Sequence, residues 1–519
     1  MLTKTFMKFE TRKFRAVGLI LILLLGANFV FAQDAPLQGF DDYVNKAIKD
    51  WEVPGVAIAI VKDDKVVLIK GYGVRELGKS DSVTTNTIFA IGSSSKAFTA
   101  AAIAMLSDEG KVKWNDPATK YLPNFQLYDS YASREATVSD LLSHRVGLER
   151  GDRLWYATAY DRDEVLRRIR YLKPSSSFRS KFGYQNVMFL AAGQIVPQVT
   201  GKSWDDFLRE RIFVPLGMNS TNTTITTLKD VKDLAAPHVK IGDKIKPVPY
   251  RLIDNIGPAG SINSNATDMA QWLRLQLNNG KFQDKQLISQ ASIKEMQAPH
   301  TIIPLEGLYT SIYSEAHFLN YGMGWFLSDY RGRKMVEHGG AIDGMRAAVS
   351  MIPEEKIGVV VLGNMNGSIL PQMLANRIFD MYLAPGKEKD WSGDLLKVIK
   401  TAEAQAKTAV DKREAERVKN TNPSLALEKY AGDYTDEMYG DAKIRFENGA
   451  LKATFGPYYN GTLEHWHYDT FRVKWQDEVE GQSFVNFKLN SQGKVETMSI
   501  EGLADFKGAP EKKAATAGK

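Results

Sequence analysis

Strand patterns at both ends of one long segment, with helical patterns between them, leave few folds open to this chain. Near the start of the segment, Val56 to Val61 and Lys65 to Lys70 flank an Asp63-Asp64 turn and read as a β-hairpin rich in valine and isoleucine. Near its end, Ala347 to Ile352 and Ile357 to Leu362 flank the turn Pro353-Glu354-Glu355-Lys356. Between them, Ala97 to Leu106, Val138 to Ser143, Asn186 to Val199 and Asp268 to Leu277 are helical patterns set among polar loops. This order predicts a mixed sheet closed by strands from the two ends, carrying a mostly helical insertion, over residues 33–384.

The pattern then changes twice. Residues 385–422 are rich in Lys, Glu, Asp and Ala around Leu395, Leu396, Val398, Ile399 and Val410, which predicts a charged, solvated connecting helix or helix pair. After Pro423 the apolar residues alternate: Ile444 and Phe446, an Asn448-Gly449 turn, then Leu451, Ala453 and Phe455. Phe471 to Trp475, Val485 to Leu489 and Val495 to Ile500 continue it, so residues 423–508 are expected to form a small all-β, barrel-like domain, followed by a polar tail over 509–519. Trp466, Tyr468, Phe471 and Trp475 are read as its core. Tyr458 and Tyr459, in a Gly-Pro loop, are read as exposed residues able to reach a catalytic cleft.

A chain of 519 residues should hold two or three compact units, and 44% hydrophobic with 25% charged residues is the balance of a globular enzyme. It has no cysteine, which removes disulfides, thiolate metal sites, thiol nucleophiles and a lipid-modified cysteine. The formal charge of +6 is concentrated at the start, where Lys4, Lys8, Arg12, Lys13 and Arg15 stand against Glu10. An uncharged stretch from Ala16 to Ala32 follows, and basic flank, apolar middle and small residue before Gln33 together read as a secretory signal peptide over 1–32. A periplasmic or secreted protein is expected, with no further membrane span and, given its near-balanced charge, no nucleic-acid partner.

Ser93 and Lys96, in Gly92-Ser93-Ser94-Ser95-Lys96, are three apart at the head of an apolar helical run, so on a helix the amine lies beside the hydroxyl. The helix dipole favours an attacking alkoxide there, and burial lowers a lysine's pKa towards the range of proton transfer. The same spacing recurs at Ser491 to Lys494, in a polar turn without a helix. Tyr184-Gln185-Asn186 offers a phenol and an amide pointing the same way if Gln185 loops outward. His338-Gly339-Gly340, expected on the edge strand of the sheet, offers backbone N–H donors suited to an oxyanion hole. His144, His238, His300, His317, His465 and His467 make no metal spacing, and no cofactor or metal is expected.

These motifs together resemble the serine β-lactamase and penicillin-binding-protein superfamily, and most closely its class C type branch of β-lactamases, DD-peptidases and esterases, peptidase family S12. The likeness spans Leu37 to Leu383. It is carried by Gly92 to Lys96, Leu141-Leu142-Ser143-His144-Arg145-Val146-Gly147-Leu148, Tyr184 to Asn186, Pro215-Leu216-Gly217-Met218, Ala259-Gly260-Ser261-Ile262, Tyr321-Gly322-Met323-Gly324-Trp325 and His338 to Gly340. The resemblance implies an α/β fold of antiparallel sheet, flanking helices and a helical subdomain. It implies Ser93 as acylated nucleophile, Lys96 and Tyr184 as the proton-transfer pair, Asn186 on the substrate amide, and the N–H groups of Ser93 and Ala341 as oxyanion hole. Gly339, Gly340 and His338 would line the substrate. Where β-lactamases of this type carry a lysine that holds the substrate carboxylate, this chain has His338, which sets it nearer the esterase and peptidase members. The C-terminal domain resembles the lipocalin-like domain of some members, which can cover the cleft.

The leading expectation is a secreted serine hydrolase acting through an acyl-enzyme on a small-molecule ester, peptide or cell-wall-derived substrate. A β-lactamase or DD-carboxypeptidase and a catalytically silent binder or sensor are the alternatives.

Overall fold

The computed structural model describes residues 35–508. The leader and the polar tail read from the sequence lie outside the described residues.

Eight strands form the central sheet: β1 (Gly55–Lys62), β2 (Lys65–Gly73), β3 (Thr301–Ile303), β4 (Leu319–Tyr321), β5 (Phe326–Tyr330), β6 (Arg333–Ile342), β7 (Met345–Ile352) and β8 (Ile357–Gly363). Their order is β2-β1-β8-β7-β6-β5-β4-β3. Every pairing is antiparallel, so the sheet is not mixed. The two ends of the segment do meet, Val56 standing opposite Gly363 and Lys62 opposite Ile357. β1 and β8 are apolar at consecutive positions because both faces of the sheet are covered. Val56, Ile58 and Ile60 pack on one side against α1 (Phe40–Asp50) and α5 (Leu370–Leu383). Ala57, Ala59 and Val61 face the core that holds α2 (Ser95–Asp108), α3 (Asn186–Thr200) and α4 (Ala266–Leu277). α2 is buried from Ser95 through Leu106, which explains its nearly unbroken run of alanine and other apolar residues.

β6 is an interior strand rather than the expected edge. Short strands β3, β4 and β5 extend the sheet beyond it, but β5 stops pairing at Phe326 opposite Glu337. Residues 338–342 are therefore open on that side while still paired to β7 on the other. An open edge inside a sheet leaves unpaired backbone groups available to a ligand.

After α5, the exposed helix α6 (Trp391–Ala415) leads to a closed antiparallel barrel of eight strands in sequence order: β9 (Gly432–Asp436), β10 (Gly440–Glu447), β11 (Ala450–Phe455), β12 (Tyr459–His467), β13 (Thr470–Trp475), β14 (Gln482–Leu489), β15 (Val495–Ile500) and β16 (Ala504–Gly508). Period-two burial fills its interior, and the Asn448-Gly449 turn takes the positive φ values its residues favour. Phe471 and Trp475 lie in this core. Trp466 is buried outside it, against the guanidinium groups of Arg417 and Arg472, and Tyr468 is exposed on the turn between β12 and β13. Tyr459 is not an exposed loop residue: it packs in the barrel core, because β12 begins at that position.

Candidate active site

Ser93 sits in a 3-10 turn, Gly92–Ser94, that runs straight into α2. Two close backbone approaches press this turn against β6. A Cβ on Gly340 would stand 1.7 Å from the Ile91 carbonyl oxygen, and one on Gly92, at φ +51°, would stand 2.6 Å from the Ala341 nitrogen. Only glycine fits either place. The Ser94 hydroxyl donates to the His338 carbonyl at 3.0 Å, and the Ile91 N–H to the Ile262 carbonyl at 2.9 Å. Ser93 is thereby fixed between the open part of β6 and the Ala259–Ile262 segment.

Lys96, one turn further on, is completely buried. Its Nζ lies 2.7 Å from Asn186 Oδ1, 2.8 Å from the Ala259 carbonyl oxygen and 3.1 Å from Ser93 Oγ. The first two partners can only accept, so two N–H bonds point at them and the third tetrahedral direction faces Ser93. Burial, ahead of the opposed influences of Asp152 and Arg150, holds the amine's pKa well below the ordinary lysine value. In the neutral amine that third direction is a lone pair aimed at the serine hydroxyl.

Tyr184 stands beside this pair, its ring centroid 4.8 Å from Lys96 Nζ. Burial raises its pKa, and the hydrogen bond with Ser93 and the nearby Arg150 only partly oppose that. The phenol is therefore protonated, not the tyrosinate that a charged Lys96 would favour. Gln185 does not loop outward. Its side chain is buried and donates to the Leu148 carbonyl at 2.8 Å, while its backbone N–H donates to His144 Nδ1 at 2.9 Å. Asn186, at the start of α3, accepts from Lys96 and donates through Nδ2 to Asp152 Oδ1 at 2.8 Å. Both ends of its amide are thus used within the site, where they orient Lys96.

His338 is also brought in, but both its ring nitrogens have partners. Nδ1 donates to the Gly339 carbonyl at 2.6 Å, which leaves Nε2 to accept from the Tyr321 hydroxyl at 2.9 Å. Burial, with the nearby Lys96, pushes its pKa down to about 3. It is neutral and supplies no positive charge.

The cleft above Ser93 has a volume of about 820 Å³ and is lined by Gly339, Gly340 and Ala341 of β6 together with residues that motif spacing did not reveal. Arg150, Asp152 and Arg153 belong to these; Asp152 accepts from Asn186 and from Trp155 Nε1 at 3.0 Å, and Arg150 Nε bonds its other oxygen at 2.5 Å. Their one sequence signal was the charged cluster directly after Leu148. The barrel supplies a further wall through Val479 and Glu480. Glu480 Oε2 accepts from Arg153 at 2.8 Å, and Arg251 pairs with Asp343, Asp477 and Glu480 at 2.8, 2.8 and 3.1 Å. Arg251 lies between the rings of Tyr156 and Tyr458, 4.6 and 4.5 Å from their centroids. Tyr458 thus reaches the interface, and Tyr459 meets it too, through its hydroxyl, bonded to Glu480 and Arg153, and through its ring, whose centroid lies 5.4 Å from the Arg153 guanidinium. Among the described residues no group of acidic and histidine side chains is placed to hold a metal ion.

At the rear of the cleft Glu337 is buried on β6, accepting from the hydroxyls of Tyr313 and Ser350. Burial raises its pKa to about 7 against the offset of those bonds. The native state thus holds a proton that the unfolded chain releases near pH 4.5, so this group's stabilising contribution is present at low pH and lost as pH rises through 7. Glu337→Gln is expected to stabilise the protein at pH 8 by roughly 3 kcal/mol and to leave it unchanged at pH 4. Urea unfolding at both pH values measures this, and equal effects at the two would refute it.

Residues 40–378 match the family model described as Beta-lactamase, and residues 416–514 match one described as a domain of unknown function, DUF3471. The chain is 30% identical over 437 residues to Unguisins hydrolase ungD′ of Aspergillus campestris, covering 79% of this chain and 78% of that protein. It is 26% identical over 351 residues to Protein flp of Staphylococcus aureus, covering 65% of each. An octameric penicillin-binding protein homologue from Pyrococcus abyssi shares the fold at a TM-score of 0.60 and 23% identity, over 90% of this chain and 99% of that one. With its buried SxxK lysine, its serine at a helix mouth and its sheet-edge glycines, the chain belongs to the Beta-lactamase family and is a serine hydrolase.

Proposed function

We propose that the protein hydrolyses an ester or a small peptide amide through an acyl-enzyme on Ser93. The arrangement of Lys96 carries this reading: a buried amine whose two donated bonds leave its lone pair on Ser93 Oγ is built to take that hydroxyl's proton. Ser93 Oγ attacks the substrate carbonyl carbon as its proton passes to Lys96 Nζ. The carbonyl oxygen becomes an oxyanion facing the N–H groups of Ser93 and Ala341. The tetrahedral carbon collapses, the leaving oxygen or nitrogen departs with a proton from Tyr184, and Lys96 restores the phenol's proton. Water then attacks the acyl-enzyme, giving one proton to the same pair, which returns it to Ser93 Oγ as the acyl C–O bond breaks and the acid product leaves.

A neutral, fully bonded His338 offers no anchor for the carboxylate of a β-lactam, which favours the ester and peptide reading over the β-lactamase one. The N-terminal leader read from the sequence supports export, and N-terminal sequencing of protein recovered outside the cytoplasm tests that part.

Intact-protein mass spectrometry after treatment with a fluorophosphonate probe is expected to show one adduct per chain, mapping to Ser93. Folded protein that takes up no probe, or takes it elsewhere, removes the reading and leaves a silent binder.

A further inference from the structure

Lys96 can act as a base only while its lone pair faces Ser93, and one of its two other directions is settled by an amide. The Ala259 carbonyl can only accept, but an asparagine amide has one accepting end and one donating end. Turned about, Asn186 would present Nδ2 to a neutral Lys96 and donate to the lone pair itself. The group on the far side of Asn186 therefore decides where that lone pair points.

That group is Asp152. Its loop turns at Gly151, at φ +61°, into the 3-10 turn Asp152–Leu154. Leu154 is buried in the core, the Tyr156 N–H donates to the Asp152 carbonyl at 2.9 Å, and Asn255 Nδ2 donates to the Trp155 carbonyl at 2.9 Å, so the loop is held from several sides. The Asp152 side chain meets three donors: Asn186 Nδ2 and Trp155 Nε1 share Oδ1 at 2.8 and 3.0 Å, and Arg150 Nε takes Oδ2 at 2.5 Å. Three donors with no acceptor among them are the surroundings of a carboxylate. Such a group excludes the turned-about amide, which would set the Asn186 oxygen against a carboxylate oxygen.

We propose that Asp152 is a positioning residue of the acylation step: it fixes the Asn186 amide with its oxygen on Lys96, and through that bond keeps the lysine lone pair on Ser93. The inference rests on the proposed role of Lys96 for its purpose, while the orientation of the amide can be read without any reaction. Acceptance at Oδ1, more than charge, is the property that counts. Without it, Trp155 Nε1 and Arg150 Nε are left as donors lacking a partner, and turning Asn186 offers them its oxygen.

Two variants separate acceptor from charge. Asp152→Leu keeps the size and loses the acceptor; Asp152→Asn keeps an oxygen for Asn186 and Trp155 and releases only the mostly exposed Arg150. The plateau rate of Ser93 modification by a fluorophosphonate is expected to fall about tenfold to a hundredfold in Asp152→Leu and only about threefold in Asp152→Asn. In Asn186→Ala protein, adding Asp152→Leu is expected to cost less than about threefold, because the intermediary is gone.

The pH profile supplies a sign. Burial lowers the Lys96 pKa, and Asp152 opposes it by favouring the charged amine, so the acid limb should move to lower pH in Asp152→Asn. Arg150 pushes the same way, and the other titratable groups facing Lys96, which are Tyr184, His144 and His338, are held neutral by burial. Water let in by a damaged loop would instead ease the burial and move the limb to higher pH.

NMR of protein carrying isotope-labelled asparagine reads the amide directly. The Asn186 N–H that meets Asp152 is expected as a downfield proton signal, absent in Asn186→Ala and shifted upfield in Asp152→Leu. If Ser93 takes no probe at all, the reading of the site fails, and this signal still decides the role of Asp152. Asp152→Leu reacting as fast as the wild type, Asp152→Asn as slow as Asp152→Leu, an undiminished loss in the Asn186→Ala background, or an amide signal unmoved by Asp152→Leu would overturn the proposal.

Discussion

Replacing Lys96 by methionine is expected to slow acylation of Ser93 by a factor of about 10² to 10⁴, the size of a lost general base, in a protein that still folds. Methionine keeps an unbranched side chain, one atom shorter, and removes the basic amine. The same variant should change how stability depends on pH. Because burial holds the native pKa well below 10.5, the unfolded chain binds a proton that the native chain does not between those two values. Stability in that window therefore rises with pH in the wild type. In Lys96→Met this contribution is absent, so the melting temperature should climb less steeply between pH 7 and pH 9. Acylation in the wild type should likewise fade as pH drops through the depressed value and the lone pair is protonated. Stopped-flow acylation and thermal melts across pH give both readings; wild-type acylation by the variant, or an unchanged slope, would exclude Lys96 as the neutral base.

Arg251→Ala is expected to cost about 3–5 kcal/mol, since it strips a buried partner from Asp343, Asp477 and Glu480 at once. Arg251 is only 5% exposed and Glu480 only 3%, so the abandoned carboxylates gain little solvation. Arg153 still holds Glu480, which makes the expected result a loosened barrel rather than an unfolded one. Chemical unfolding should separate into two transitions, and proteolysis should quicken between α6 and β9. Cleft-wall residues Val479 and Glu480 would move with the barrel, so the variant should also alter KM for bulky substrates more than for small ones. A single, unshifted transition would show that the interface does not depend on this ion network.

Much of this organisation was legible because it repeats. Alternation over residues 440–500 announced the barrel strands, and the apolar runs of β1 and β8 announced the centre of the sheet. Ser93 and Lys96 could be read because helical spacing alone makes neighbours of them. The position of β6 could not, because β3 and β4 have three residues each, too few to show a period, yet they turn an expected edge into an interior strand. Tyr459 was misplaced for a related reason: a Gly-Pro pair suggested a loop, but the strand begins only two residues later. Asp152 and Glu480 come from a loop and a second domain, and neither carries a motif. Their meeting is a property of tertiary distance, which no local pattern encodes.

The pairing of β1 with β8 also governs when this molecule can exist at all. Val56 waits for Gly363, roughly 300 residues later in the chain, before its ladder can close. Contacts of such long range cost loop entropy before they return any stability, which makes folding slow. Until the ribosome has passed Gly363 the valine-rich first hairpin lacks its neighbouring strand β8 and the α5 part of its cover, and it is the element that a chaperone would have most reason to hold.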